Sequence, residues 1–179
     1  MTRTYPAKPL FLFLSLIVLV LDQWTKQLVE LHMPIGTSRP VIDGLLNLTH
    51  VHNTGVAFGL FATHGDGLRT VLLIALGLLA LTLVAFYFRQ VPAHDRVMLV
   101  ALSLVLGGAV GNLLDRILQG GVTDFIDFYV GDWHWHTFNI ADSAITVGIG
   151  FMVWSAFRPV ADEPETVTDD EPTELASTP

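Results

Sequence analysis

Cysteine is absent from the 179 residues. Thiol catalysis, disulfide bonds and lipidation of the chain's own cysteines are therefore excluded. Any part that lies outside a membrane must hold together by packing and hydrogen bonds alone. Charge is also scarce, with Asp, Glu, Lys and Arg making up 15% of the residues. No basic patch with interleaved aromatics is present, which removes nucleic acid as a partner. The net charge of −8 misleads. After Arg158 come Asp162, Glu163, Glu165, Asp169, Asp170, Glu171 and Glu174 with no base among them, and these seven acids account for nearly all of it. Rich in Thr and Pro as well, residues 158–179 read as a disordered, solvated tail. An HExxH pattern is missing too. His50 and His52, like His134 and His136, stand two residues apart, so each pair could share a strand face and offer zinc ligands. Without a metalloprotease helix or a third ligand type beside them, the expectation is no metal and no cofactor.

What the chain has in abundance is apolar sequence, 51% of the total. Four stretches have the length of a membrane crossing, at about 10–29, 68–88, 97–114 and 138–157. Residues 1–9 carry Arg3 and Lys8, a charged start like that of a signal peptide, but no small-residue cleavage site follows the apolar run. Between the first two spans, Pro34, Gly36, Pro40, Gly44, Gly55, Gly59, Gly65 and Gly67 forbid a long helix. Short β-branched runs in Val41–Thr49 and His50–Phe58 predict two or three strands. Residues 33–67 therefore read as a small extramembrane β element, and Gln119–Thr137 as a loop. The fold expected is an all-α membrane protein of four transmembrane helices with a β-cradle outside the bilayer. Four spans put both termini on one side. Arg3, Lys8, Arg89, Arg96 and Arg158 fall in the shorter segments of that side, which makes it the cytoplasmic one.

The polar residues within or beside the spans do not scatter. Asp22 and Lys26 stand at i, i+4 near the far end of the first span, either as an interfacial ion pair with Trp24 as anchor or as part of a site. Asn112, Asp115 and Arg116 share a face at the far end of the third span, where Asp115 and Arg116 read as a helix-end salt bridge. Just ahead of them, Gly107, Gly108 and Gly111 allow close helix approach. Asn139 and Asp142 open the fourth span on one face, and Thr146 continues it. Asp124 lies just before that span, and Asn53 in the outer element. All of these groups gather at one membrane face. An acid at the edge of a span is expensive unless it faces a protein interior or a wet cavity. Two carboxylates sharing such a site cannot both ionise cheaply, so they share a proton. One can then take a proton from water while the other hydrogen-bonds a scissile carbonyl. A small proton-coupled carrier or an assembly subunit is the rival reading. It would predict an internal repeat and polar groups at mid-membrane, and the sequence has neither.

Five motifs stand in a familiar order: Asp22-Gln23-Trp24-Thr25-Lys26, Asn53-Thr54-Gly55-Val56-Ala57-Phe58, Gly107 to Arg116, Val122-Thr123-Asp124-Phe125 and Phe138-Asn139-Ile140-Ala141-Asp142-Ser143. Over roughly residues 10 to 157 the chain resembles the bacterial lipoprotein signal peptidases, the signal peptidase II family. The resemblance implies a monomeric aspartic endopeptidase of the bacterial inner membrane with its site at the periplasmic face. It would remove the signal peptide from diacylglyceryl-modified prolipoproteins by cutting N-terminal to the lipidated Cys, and globomycin-like cyclic peptides would inhibit it. It also implies Asp124 and Asp142 as the catalytic dyad, supported by Asp22, Lys26, Asn53, Asn112, Arg116 and Asn139. A short surface helix near Phe61 to Gly67 would follow the cradle. One departure is His136-Thr137, where the family usually has a proline shortly before Phe-Asn.

Overall fold

In a computed structural model, residues 8–55 and 66–157 are described. The acidic tail, the residues before Lys8 and the start of the surface helix expected near 61–67 lie outside them. Helix α1 (Pro9–His32) opens on a proline, whose missing N–H would have been unpaired at a helix start in any case. Helix α2 (Asp66–Gln90) carries Asp66, Arg69 and Thr70 at its start and then runs apolar, but for Thr82 and Tyr87, until Arg89. Helix α3 (Arg96–Gln119) is bounded by Asp95, whose carboxylate accepts from the Met98 N–H at 3.0 Å, and by Gly120 in the left-handed region at φ 75°. Helix α4 (Ile140–Ala156) begins with a capping box. The Asn139 side chain accepts from the Asp142 N–H, and the Asp142 carboxylate accepts from the Asn139 N–H. Among the described residues, three helices are long and apolar enough to cross a membrane. At 1.5 Å per residue α1, α2 and α3 each span about 36 Å, and α4, with 17 residues, about 25 Å.

Helix α3 is the hub, packing against α1, α2 and α4. Leu99, Ala101, Leu102 and Ser103 are wholly buried. Its glycines make these approaches possible. A methyl group at Gly107 would stand 2.6 Å from the Ser15 carbonyl oxygen of α1, and one at Gly108 would collide with the Ala141 carbonyl of α4. One at Gly111 would sit 2.5 Å from Asp22 Oδ2. Near the ends of the bundle where Val91 and Met98 lie, Phe88, Leu99, Leu102 and Leu106 close an apolar core with Phe11 and Met152. The outward faces of α1 and α2 carry exposed Phe13, Leu16, Leu72, Leu76, Leu79, Leu83 and Phe86, which suit a lipid surround better than water.

A four-stranded antiparallel sheet caps the other end of the bundle in the order β1 (Ser38–Ile42), β2 (Leu46–Asn53), β3 (Val122–Val130), β4 (Trp133–His134). Gly44 and Gly131, both at positive φ, make the tight turns of its two hairpins. The cradle expected over 33–67 thus supplies only half of the sheet, and the loop expected over Gln119–Thr137 is its other half. In that stretch the sequence Thr123-Asp-Phe-Ile-Asp-Phe-Tyr alternates along a strand. Both of its acids are accepted there because the sheet supplies their donors. Asn47 donates to Asp127 at 3.0 Å, and Asn53 to Asp124 at 2.8 Å. Val29 and Met33 at the end of α1 pack on Phe125, with Leu48, Ile126 and Ile140 around them, and so seat the sheet on the helices.

Candidate active site

Asp142 stands in the first turn of α4, and Asp124 in the middle of β3 opposite Val51 of β2. Both line one open cleft of about 480 Å³, together with Asn53, Trp135, His136, Thr137, Phe138, Ser143, Thr146 and Val147. The face read from sequence as Asn139, Asp142 and Thr146 therefore does turn its acid and its threonine toward the cavity, while Asn139 is buried behind them.

Three asparagines hold the two carboxylates, and all three are oriented in the same way. Asn53 accepts the Gly55 N–H on Oδ1 at 2.9 Å, in a turn that needs the positive φ of Gly55, and donates Nδ2 to Asp124 Oδ2 at 2.8 Å. Asn139 accepts the Asp142 N–H at 2.9 Å and donates Nδ2 to Asp124 Oδ1 at 2.7 Å. Asn112 accepts from Lys26 Nζ at 3.0 Å and donates Nδ2 to Asp142 Oδ1 at 2.7 Å. In each case a scaffold donor fixes the amide oxygen, so the NH2 group can only point at the acid. Among the described residues neither acid forms an ion pair. Arg116, half-buried on α3, uses Nη1 to donate to the Asn112 carbonyl at 3.1 Å and is near enough to both acids to interact with their charge.

Burial pushes the Asp124 carboxyl up from the ordinary 3.8 to about 6, and the charge of Asp142 adds to the rise against the donors Asn53 and Asn139. Asp127, three residues on, behaves in the opposite way. Burial works against its ionisation, but hydrogen bonds from Asn47 and His134 outweigh burial and hold it below the carboxylate norm. Asp127 belongs to the sheet and does not line the cleft. Asp132 is exposed at the β3–β4 turn.

Behind the cleft lies a second, closed cluster. Lys26 Nζ is 2.8 Å from Asp22 Oδ2 and 2.7 Å from Asp115 Oδ2, with all three side chains buried. Asp22 also accepts the Ala141 N–H of α4 at 2.9 Å. The Asp22–Lys26 pair is thus not interfacial. It ties α1 to α3 and α4, while Trp24 beside it is exposed. The salt bridge expected between Asp115 and Arg116 is replaced, since Asp115 turns inward to Lys26 because an unpaired buried ammonium is far costlier than an open helix end. Gln23, overlooked in the sequence, donates to Asp115 Oδ1 at 2.8 Å. Glu30 was overlooked as well. It accepts from Thr123 at 2.6 Å and so pins the strand beside Asp124. A polar residue on α1 one turn from the Asp22–Lys26 pair was the available signal.

Among the described residues the histidines do not gather into a ligand set. His50 is buried with Nδ1 on the Met33 carbonyl at 2.7 Å, and His134 lies 2.9 Å from Asp127. Of the described histidines, His136 lines the cleft.

A family model described as signal peptidase (SPase) II matches residues 14–158. A lipoprotein signal peptidase of Syntrophus aciditrophicus is 46% identical over 148 residues, covering 82% of this chain and 92% of that one. One from Desulforapulum autotrophicum is also 46% identical, over 149 residues, covering 83% and 92%. Among solved structures, a bacterial membrane enzyme determined by the in meso method at 1.9 Å superposes with a TM-score of 0.78 at 30% identity, over 89% of this chain and all of that one.

Proposed function

The chain belongs to the signal peptidase II family, and from that premise we propose that Asp124 and Asp142 are the catalytic pair of an aspartic endopeptidase acting on diacylated prolipoproteins. The observation that carries this reading is the cleft itself. Two acids from different elements meet there, each held by amide donors and neither neutralised by a bonded cation. Such a pair keeps one proton between them up to about pH 6. The pKa of Asp124 favours it as the proton holder, which hydrogen-bonds the scissile carbonyl oxygen. Asp142 then takes a proton from the attacking water. The tetrahedral intermediate collapses as a proton passes to the leaving amine, which belongs to the lipidated Cys, and the signal peptide departs as a carboxylate. Asn53, Asn112 and Asn139 hold the pair in place, Asp22 and Lys26 hold Asn112 and α4, and Arg116 supports the peptide backbone. The reaction written this way uses no metal or cofactor.

In this reading α4, although only about 25 Å long, crosses the membrane as a fourth span, helped by the apolar flanks Phe138 and Phe157. Both termini then face the cytoplasm, and the dyad opens at the periplasmic face of the inner membrane. Two acyl chains, each buried methylene worth about 0.8 kcal/mol, would hold the Cys at that boundary, and the signal helix would anchor the other side of the bond. The amide is thereby presented in near-attack geometry. A monomer and globomycin-like inhibition complete the proposal. The test is to give the purified chain matched peptides with and without the diacylglyceryl group and to map the cut by mass spectrometry. The expected result is cleavage N-terminal to Cys in the lipidated peptide only. Equal cleavage of the unmodified peptide would refute the lipid requirement, and cleavage elsewhere would refute the site.

A further inference from the structure

At the end of the bundle away from the dyad, residues of α3 and α4 line a groove of about 180 Å³. Val97, Val100, Phe151 and Trp154 line it, and Arg96 stands at its mouth. The Phe151 and Trp154 rings lean on one another at a centroid distance of 6.1 Å. Apart from Arg96, every residue that lines the groove is apolar. An acyl chain fits those walls, but it finds equally apolar surroundings in the bilayer, so the walls alone select no particular lipid. Selection must come from the mouth. Arg96 is exposed there, and none of the described carboxylates pairs with it. Asp95 beside it is engaged in capping the Met98 N–H. Among the described residues the other lysine and arginine at this end are Lys8, which donates to the Arg89 carbonyl at 2.8 Å, and Arg89 itself, which is exposed; His94 is exposed beside them. A cationic rim over an apolar slot matches one chemistry: a phosphodiester carrying a net negative charge, with a hydrocarbon chain attached.

We propose that the α3–α4 groove under Arg96 binds one anionic phospholipid, with its phosphate on the Arg96 guanidinium and one acyl chain between Val100, Phe151 and Trp154. The site is remote from the dyad and owes nothing to the substrate's own lipid. The acidic tail is the competing occupant for the guanidinium, but it has too few apolar residues for the slot.

Native mass spectrometry of the full chain tests this, after release from vesicles of equal phosphatidylglycerol and phosphatidylcholine. The expected result is one retained phosphatidylglycerol per chain and about a tenfold preference over phosphatidylcholine. Arg96→Gln should abolish the preference. Val100→Trp, which fills the slot, should remove the retained lipid while the melting temperature in detergent stays within a few degrees. Equal retention of both lipids by the parent, or an undiminished preference in Arg96→Gln, would overturn the proposal. So would a preference that emerges only after residues 159–179 are removed, because the tail would then hold the site in the full chain. If Val100→Trp unfolds, Val100→Phe gives the same reading with a smaller change.

Discussion

Two groups of carboxylates lie within one end of this bundle, and their partners differ in kind. Asp22 and Asp115 share the ammonium of Lys26 and are sealed from solvent. Asp124 and Asp142 receive only amide N–H groups and face a cleft. A full charge at under 3 Å engages a carboxylate from inside the bundle, whereas an amide dipole positions it and leaves it turned to the cleft. The first group holds three helices together, and the second is the pair proposed to be catalytic. Asn112 joins the two, taking its orientation from Lys26 and passing it to Asp142.

The largest effect should come from removing the exchangeable proton. Asp124→Asn and Asp142→Asn should each lower the turnover of a diacylated peptide by at least about 10³-fold, the upper part of what acid–base catalysis supplies. Far-UV circular dichroism should stay unchanged. Near-normal turnover in either variant would remove that residue from the dyad.

Next comes the closed group. Lys26→Met leaves two buried acids without a cation, a loss of about 3–5 kcal/mol, read as an early thermal transition in detergent. At temperatures where the variant remains folded, activity should still fall about tenfold, because Asn112 loses the donor that fixes its amide and the value of one hydrogen bond is lost with it. A variant that is destabilised but fully active would break the link through Asn112.

The opposite sign is expected at Asp124. Its folded pKa of about 6 lies above the ordinary 3.8, so ionisation is disfavoured in the folded state. Below about pH 4 the group is neutral folded or unfolded and contributes nothing. As pH rises through about 6 the folded protein loses stability relative to its acid form, on the order of 2–3 kcal/mol. Asp124→Asn escapes that loss. Its NH2 faces an amide donor of Asn53 or Asn139 at every pH, so its stability relative to the parent should improve by about that amount between pH 4 and pH 7, when melting temperatures are compared across the range.

A smaller and sharper test concerns which acid holds the proton. If Asp124 does, kcat/KM falls as pH rises past about 6. Because the Asn53 hydrogen bond lowers that pKa, Asn53→Ala should move the fall to higher pH. A profile that instead rises through pH 6 would exchange the roles of the two acids. The smallest effect expected is none. Exhaustive chelation, and the His50→Ala/His52→Ala pair assayed below its own unfolding temperature, should leave the rate unchanged. Zinc-restored activity would overturn the aspartic reading.

Much of this was legible before any coordinates. The helices reveal themselves by length and apolarity, and the convergence of Asp22, Asn53, Asn112, Asp124, Asn139 and Asp142 on one face follows from their places along the spans. Less legible was strand β3. Two acids and flanking glycines read as loop chemistry, and only a partner strand 70 residues earlier in the chain, bringing Asn47 and Asn53, makes them acceptable in a sheet. Asp115 was misread for a related reason. Its near neighbour Arg116 is a plausible partner on one helix, and the true partner Lys26 lies on another, a pairing that no local pattern encodes. The polarity of the three asparagines was invisible as well, because each depends on a donor that the fold brings in.

The capping box at the start of α4 has one more consequence. Asn139 and Asp142 begin the last of the described helices, and the groups they meet come from α3 and β3, with Asn53 of β2 behind Asp124 and Lys26 of α1 behind Asn112. A chain that stops short of α4 lacks one acid of the proposed pair and the asparagine that orients the other. If the pair is catalytic, formation of α4 acts as a safety catch, and proteolytic capacity arises only once that helix has joined the other elements.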